Sequence, residues 1–328
     1  MIPTTLRRTL LVLLLLASLL ALLLASAVGS VPMTVGEWLA AIGEPGSRHG
    51  ELVWQLRIPR ALAAWVVGCL LAMSGCLMQV LLRNPLADPY VLGVSGGAAF
   101  ATLLGMVVGV ATVLLPWLAM LGALASILIV FALARGSGPW SGTRLLLTGV
   151  VAASGWAALI SLALSLSPEA SLRGMLFWLM GDLSYASLPL WALLVLVLSF
   201  LLSLGLARSL NVLAMGETTA RLLGESTRQM LWLVYLLASV ITATAVSIAG
   251  SIGFVGLIVP HLMRLLVGSD HRVLIPAATL FGGAFLVLSD TLARSVLAPR
   301  QLPVGVITAL LGVPLFLLLL NRARLKGA

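Results

Sequence analysis

An all-α fold of about ten transmembrane helices is what this chain of 328 residues predicts, and three observations carry the prediction. Hydrophobic residues make up 61% of the chain and charged residues only 9%, whereas a soluble domain is roughly one quarter charged. Such a surface faces lipid. Apolar runs of about 20 residues, the length that crosses a hydrocarbon core of roughly 30 Å, recur along the whole sequence. The runs are continuous rather than alternating, so helices are expected and not the short two-faced strands of a membrane barrel.

The first run, roughly residues 9–29, follows Arg7 and Arg8 and ends near Ala25-Ser26-Ala27, an imitation of a signal peptide with a small-residue cleavage site. Its length suffices to span and further spans follow it, so an uncleaved first helix is the simpler reading. The remaining runs lie at roughly 61–82, 91–115, 117–134, 144–166, 188–206, 230–250, 253–268, 273–292 and 303–320. The longest spacer, about residues 30–60, is too short for a soluble domain, so residues 1–328 form a single transmembrane domain. Residues 208–229 are its largest internal polar segment.

Orientation follows from the basic residues, because cytoplasmic loops retain Lys and Arg. An even number of spans puts both termini on one side, and that side collects thirteen of the nineteen Lys and Arg residues. Both termini are therefore expected in the cytoplasm. The outer face keeps Arg48, Arg57, Arg60, Arg173, Arg294 and Arg300. Topology thus accounts for most of the net charge of +9, and no basic segment is interleaved with stacking aromatics, which excludes a nucleic-acid partner.

Arg57, Arg60 and Arg294 fall at the outer ends of the second and ninth helices, where long side chains can snorkel to water. Asp290, four residues before Arg294, makes a good intrahelical pair. A phosphate-binding loop would need Gly-Lys-Ser/Thr after a glycine-rich turn, but Lys326 is the only lysine and lies at the C-terminus. Gly93-Val94-Ser95-Gly96-Gly97 reads instead as close helix packing, with Gly93 and Gly97 four apart on one face. No cofactor is expected on this chain, and ATP, if used, is hydrolysed by another subunit.

An ion-coupled secondary transporter is the competing class, and it would place an Asp, Glu or His in mid-membrane. Glu169, Asp182, Glu217 and Glu225 fall in loops, Asp290 near a helix end and His261 near the inner end of the eighth helix. No catalytic triad or metal-spaced His/Cys set is present. Cys69 and Cys76 are seven residues apart on one helix, about 10 Å, too far for a disulfide.

The polar punctuation inside these runs has a specific pattern. Arg57-Ile58-Pro59-Arg60 is followed by Ser74-Gly75, Met78-Gln79, Arg83-Asn84-Pro85-Leu86-Ala87, Pro89, Leu92-Gly93 and Ser95-Gly96-Gly97-Ala98. Farther on come Gly253-Phe254-Val255-Gly256-Leu257-Ile258-Val259-Pro260-His261, Asp270-His271-Arg272 and Leu302-Pro303-Val304-Gly305. In order and spacing this resembles the permease subunits of bacterial ABC importers for iron-siderophores, haem or vitamin B12, over nearly the whole chain.

The resemblance implies an inverted repeat pairing helices two to five with seven to ten, and an assembly in the bacterial inner membrane. Its partners would be a second copy of the chain, two cytoplasmic ATPase subunits that hold ATP and Mg, and a periplasmic substrate-binding protein whose acidic residues meet Arg57, Arg60 and Arg294. It carries an ATPase-coupling role onto Met215, Gly216, Glu217, Ala220, Leu223 and Gly224, in a segment where Leu213, Leu222 and Leu223 argue for a short helical pair with a partly buried face. The pathway would run between two copies along the fifth helix, past Thr148, Ser154 and Ser161, with a gate at Gly142 and Thr143. Gly142 departs from the hydroxyl residue that the family pattern carries there. Arg173 reads as an interfacial arginine, with an anionic cargo contact as the alternative. The cargo is a chelated metal compound, with iron-siderophore, haem and cobalamin left open.

Overall fold

The computed structural model describes residues 4–134, 142–184, 186 and 190–327, and among them every regular element is helical. In chain order, α1 (Thr4–Ala27) is followed by two short helices, α2 (Val35–Gly43) and α3 (Arg48–Glu51). A π-helical stretch, Leu52–Arg57, joins the second of these to α4 (Ile58–Leu81). An irregular break then leads to α5 (Val94–Val108), α6 (Leu115–Ala134), α7 (Gly142–Leu166) and α8 (Glu169–Leu179). Next, α9 (Leu190–Gly205) bends by 61° into α10 (Ala207–Ala214). The chain closes with α11 (Glu217–Leu222), α12 (Thr227–Ala249), α13 (Val255–Val267), α14 (His271–Ser295) and α15 (Val304–Gly327).

Six of these stretches are long and apolar enough to cross a membrane, and α9 with α10 makes a seventh if the bent pair counts as one span. Three more, α5, α13 and residues 304–318 of α15, are shorter apolar helices. Together they coincide with the ten apolar runs, although the described residues hold fewer full-length spans than runs. The shortening has local causes. Gly109, at φ 77°, ends α5 while apolar sequence continues, and Phe254, at φ 70°, starts α13 late. Hydropathy misses both, because the backbone turns without any change in polarity. It also misses α8, which Glu169 and Arg173 make too polar and which is too short for a span.

α4 is the axis of the bundle, with nineteen of its 24 residues buried. It packs against α14, α12 and α13, and two glycines set how closely. A Cβ on Gly68 would lie 2.3 Å from Gly282 O of α14, and one on Gly75 would lie 1.9 Å from Gly256 O of α13. Backbone meets backbone at both places, which is how helices gain packing where lipid offers no hydrophobic drive. Ser74 adds polar links to α12, at 2.6 Å to Thr242 Oγ1 and 3.0 Å to Ala238 O. Gly97 meets the backbone of Gly122 on α6, whereas Gly93, at φ 72°, precedes α5 and shares no helix face with it.

The packing pattern repeats under an exchange of helices. α4 contacts α13 and α14 as α12 contacts α5 and α6, and α5 lies on α6 as α13 lies on α14. Interchanging α4 with α12, α5 with α13 and α6 with α14 maps one set onto the other, as two related repeats require. The breaks before α5 and α13 also meet. The Tyr90 hydroxyl accepts a hydrogen bond from Ile252 N at 3.1 Å, and the Pro89 ring covers Gly256. The end of α8 is stitched to the same region, with Asp182 N donating to Ala249 O at 2.9 Å and Val304 N to Gly181 O at 3.0 Å. Non-helical backbone is thus hydrogen-bonded inside protein, as an apolar surrounding demands.

Replacing Gly75 with Val should cost about 3 kcal/mol or more, the upper end for overpacking, because its neighbour is backbone and cannot rotate away. Gly174→Ala, which meets nothing within 4 Å, should be neutral. Thermal unfolding of the two variants in detergent reads the difference; equal melting temperatures would contradict the close crossing.

Candidate functional sites at the two ends of the bundle

At one end, α4 and α14 bring Arg60 and Arg294 around a single carboxylate, Asp290, and Arg57, the last residue before α4, lies beside Arg294 at Gly29. Arg60 grips the carboxylate with a two-pronged fork, Nη2 to Oδ1 at 2.7 Å and Nε to Oδ2 at 2.9 Å, and gives Nη1 to Gln301 Oε1 at 2.8 Å. Arg294 Nε stands 3.6 Å from Asp290 Oδ2, and its Nη2 donates to Ala25 O. Arg57 donates to the carbonyls of Ser26, at 3.2 Å, Ala27 and Val31. Two guanidiniums therefore cap the carbonyl end of α1, where the helix dipole is negative.

One sequence expectation changes here. Arg57 and Arg294 do not snorkel to water, being only 6% and 5% exposed, because the last turn of α1 supplies acceptors that lie nearer than solvent. The expected pair of Asp290 with Arg294 of its own helix is present, and Arg60 of α4 joins it as a hydrogen-bonded partner, since the close α4–α14 packing brings the fork within reach. Arg60 and Arg294 pair with Asp290 and the Arg57 guanidinium lies beside that of Arg294, so the three arginines exceed the one carboxylate by two positive charges. Gln301 carries no sequence signal for its place in the cluster; it is also approached by Ser184 Oγ at 3.2 Å. Arg173, apart from this cluster, lies 5.6 Å from the ring centroid of Phe177, one turn along α8.

At the opposite end, α10 and α11 form an elbow. Leu210, Leu213 and Ala220 are buried beneath it. Leu222 and Leu223 are 83% and 62% exposed, and Met215 is 67% exposed. The two leucines thus lie on the outer face of the elbow, not on its buried one, because the six-residue α11 ends before it can turn them inward. Gly216 and Gly224 have φ 108° and 84°, conformations that favour glycine, while nothing within this chain crowds either position. Glu217 bridges Arg83 at 3.0 Å and Arg221 at 3.1 Å, and Ser209 Oγ donates to Glu225 Oε1 at 2.9 Å.

Between the ends, α7 is the least covered of the long helices, with 11% of its apolar window buried. Thr148 is half-buried and lines a groove of about 600 Å³ with Ile129, Leu133, Leu147, Gly155 and Trp156. Ser154 and Ser161 are exposed, and their hydroxyls donate to Val150 O at 3.1 Å and Ala157 O at 2.9 Å. A hydroxyl satisfied by its own helix needs no water. Gly142 and Thr143 begin α7, but their side chains lie outside the described residues. Asp88 is a further carboxylate among the helices. It caps Tyr90 N at 2.8 Å, and burial pushes its carboxyl up to about 6 against the pull of that hydrogen bond.

The description "FecCD transport family" fits residues 13–322. The hemin transport system permease protein HmuU of Yersinia pestis is 42% identical over 286 residues, covering 83% of this chain and 84% of that protein. The vitamin B12 import system permease protein BtuC of Shigella boydii is 39% identical over 319 residues, covering 95% and 94%. Among solved structures, a metal-chelate type ABC transporter in an inward-facing conformation superposes with a TM-score of 0.84 at 32% identity, over 96% of this chain and 99% of that one. The helical order, the polar punctuation and these likenesses agree: the chain belongs to the FecCD transport family, as a permease of an ABC importer of the haem, vitamin B12 and metal-chelate type.

Proposed function

We propose that the protein works as two copies with two ATPase subunits and one periplasmic binding protein, and carries a chelated metal compound, an iron-siderophore, haem or a corrinoid, into the cytoplasm. The excess positive charge around Asp290 carries this reading most directly, because a surplus of buried cations is relieved by carboxylates from a partner. The basic bias of the loops puts that cluster outside and the α10–α11 elbow in the cytoplasm. Met215, Leu222 and Leu223 there offer apolar knobs to an ATPase groove, and the latter holds ATP and Mg. The bare α7 suits a pathway between two copies, where Ser154 and Ser161 present small surfaces without fixed charge to a bulky cargo. Asp88 is the one feature that favours an ion-coupled carrier instead, and its carboxylate is already engaged as a cap.

Energy supply separates the two readings. The permease alone in proteoliposomes should take up nothing, and uptake should need an added ATPase subunit and internal ATP. Uptake driven by a proton or sodium gradient without that subunit would establish the carrier.

Docking is best tested from the partner's side. Arg60→Ala takes the close hydrogen bonds from Asp290, leaving it only the more distant Arg294, and should itself cost about 2 kcal/mol of stability. Reversing the facing acidic residues of the binding protein to Lys leaves the permease intact and should slow association. Raising ionic strength from about 0.05 M to about 0.5 M should weaken wild-type docking. Salt-insensitive affinity, measured on the purified complex, would remove the arginine cluster from the docking site.

The elbow is tested with Leu222→Asp and Leu223→Asp together. Both side chains stand in water in this chain, so folding should be unchanged while affinity for the ATPase falls by about tenfold or more. Full retention of the ATPase on co-purification would exclude the elbow as its contact.

A further inference from the structure

Asp270-His271-Arg272 opens α14, and the structure shows what this motif holds. Asn211, on α10, donates Nδ2 to Asp270 Oδ1 at 2.8 Å. Its Oδ1 accepts from His271 N at 2.9 Å and lies 2.6 Å from His271 Nδ1, which must carry the proton because an amide oxygen only accepts. The amide is thereby fixed in one orientation. Asp270 in turn caps α14 through Arg272 N at 3.1 Å, and Arg7 of α1 approaches its other oxygen at 3.9 Å.

The elbow holds a second helix too. Glu217 of α11 pairs with Arg83, two residues beyond α4, and Arg83 sits at φ 48°, a left-handed conformation that costs a non-glycine residue energy. α4 and α14 then run together through the Gly68–Gly282 contact to their far ends, where Arg60 and Asp290 join them again. One pair of helices thus touches the elbow at one end and the arginine cluster at the other.

We propose that Asn211 is a positioning residue that locks the elbow to the first turn of α14, so that the α4–α14 pair carries a displacement of the elbow to the arginine cluster and back. The proposal rests on the reading of the elbow as the ATPase contact. Its chemistry is directional: a donor on Asn211 meets an acceptor on Asp270, while the acceptor on Asn211 serves two donors of His271. Asn211→Asp keeps the acceptor for His271 but sets two carboxylates against each other. Combining it with Asp270→Asn removes the repulsion and lets an amide at residue 270 donate to the carboxylate at residue 211, at the expense of the cap on Arg272 N, because one oxygen of Asp270 serves both contacts.

The test uses the complete importer, with ATPase and binding protein, in proteoliposomes, and reads the ratio of binding-protein-stimulated to basal ATP hydrolysis alongside co-purification of the ATPase. Asn211→Asp should lower the ratio by about fivefold or more with the ATPase still bound, and the exchanged pair should return it to within about twofold of wild type. Should Asn211→Asp not assemble, Asn211→Ala, which adds no charge, is read in its place with the same expected drop. A wild-type ratio in the single variant, or an exchanged pair that assembles but couples no better than the single change, overturns the proposal. The Leu222→Asp, Leu223→Asp variant is measured in parallel. If it loses the ATPase while Asn211→Asp couples normally, only the Asn211 link fails; if it keeps the ATPase, the reading of the elbow fails and the link with it.

Discussion

Backbone approaching backbone along α4 is the constraint on which the rest of the molecule depends. Gly68 admits α14 and Gly75 admits α13, each to a distance that no side chain would permit. In lipid such approaches replace the hydrophobic drive that assembles soluble cores, and the Ser74–Thr242 hydrogen bond fixes the third neighbour, α12. Once α4 is enclosed, the positions of its ends follow. Arg60 arrives beside Asp290 at one end, and Arg83 arrives beside Glu217 at the other.

Charge is sorted accordingly. The described ion pairs lie at the two ends of the bundle, Arg60–Asp290–Arg294 at one and Arg83–Glu217–Arg221 with Arg7–Asp270 at the other. The first group is rich in positive charge and largely buried. The second is open and flanked by exposed apolar side chains. Between them Ser154 and Ser161 of α7 return their hydroxyls to carbonyls of their own helix, which leaves a surface without fixed charge there.

Much of the fold was legible in the apolar runs, because hydrocarbon thickness sets helix length directly. The early end of α5 at Gly109 and the late start of α13 after Phe254 were not, since backbone turns there without a polar residue to mark it. The arginine cluster was legible as three residues out of place for the basic bias, and Asp290 as a neighbour of Arg294. Its second partner, Arg60, lies 230 positions away in sequence, a pairing that only the α4–α14 contact creates. Leu222 and Leu223 show the limit of periodicity in a six-residue helix, where two apolar side chains can equally face the core or a missing partner. Asn211 had no signal of its own; the Asp270-His271-Arg272 motif pointed to the place, and geometry supplied the bond.

The central claim is that α4 and α14 form one rigid body, from which α7, packed on α5 and α6 instead, can shift. Pulsed electron-spin distances test it in the assembled importer, with labels at the exposed positions Leu56, in the π-helical stretch that runs into α4, Leu292 on α14 and Leu159 on α7. Between nucleotide-free and ATP-bound states the Leu56–Leu292 distance should hold within about 1 Å, while Leu292–Leu159 should change by more than the 1–2 Å or so of an ordinary helix shift. A Leu56–Leu292 distance that changes as much as Leu292–Leu159 would contradict the account.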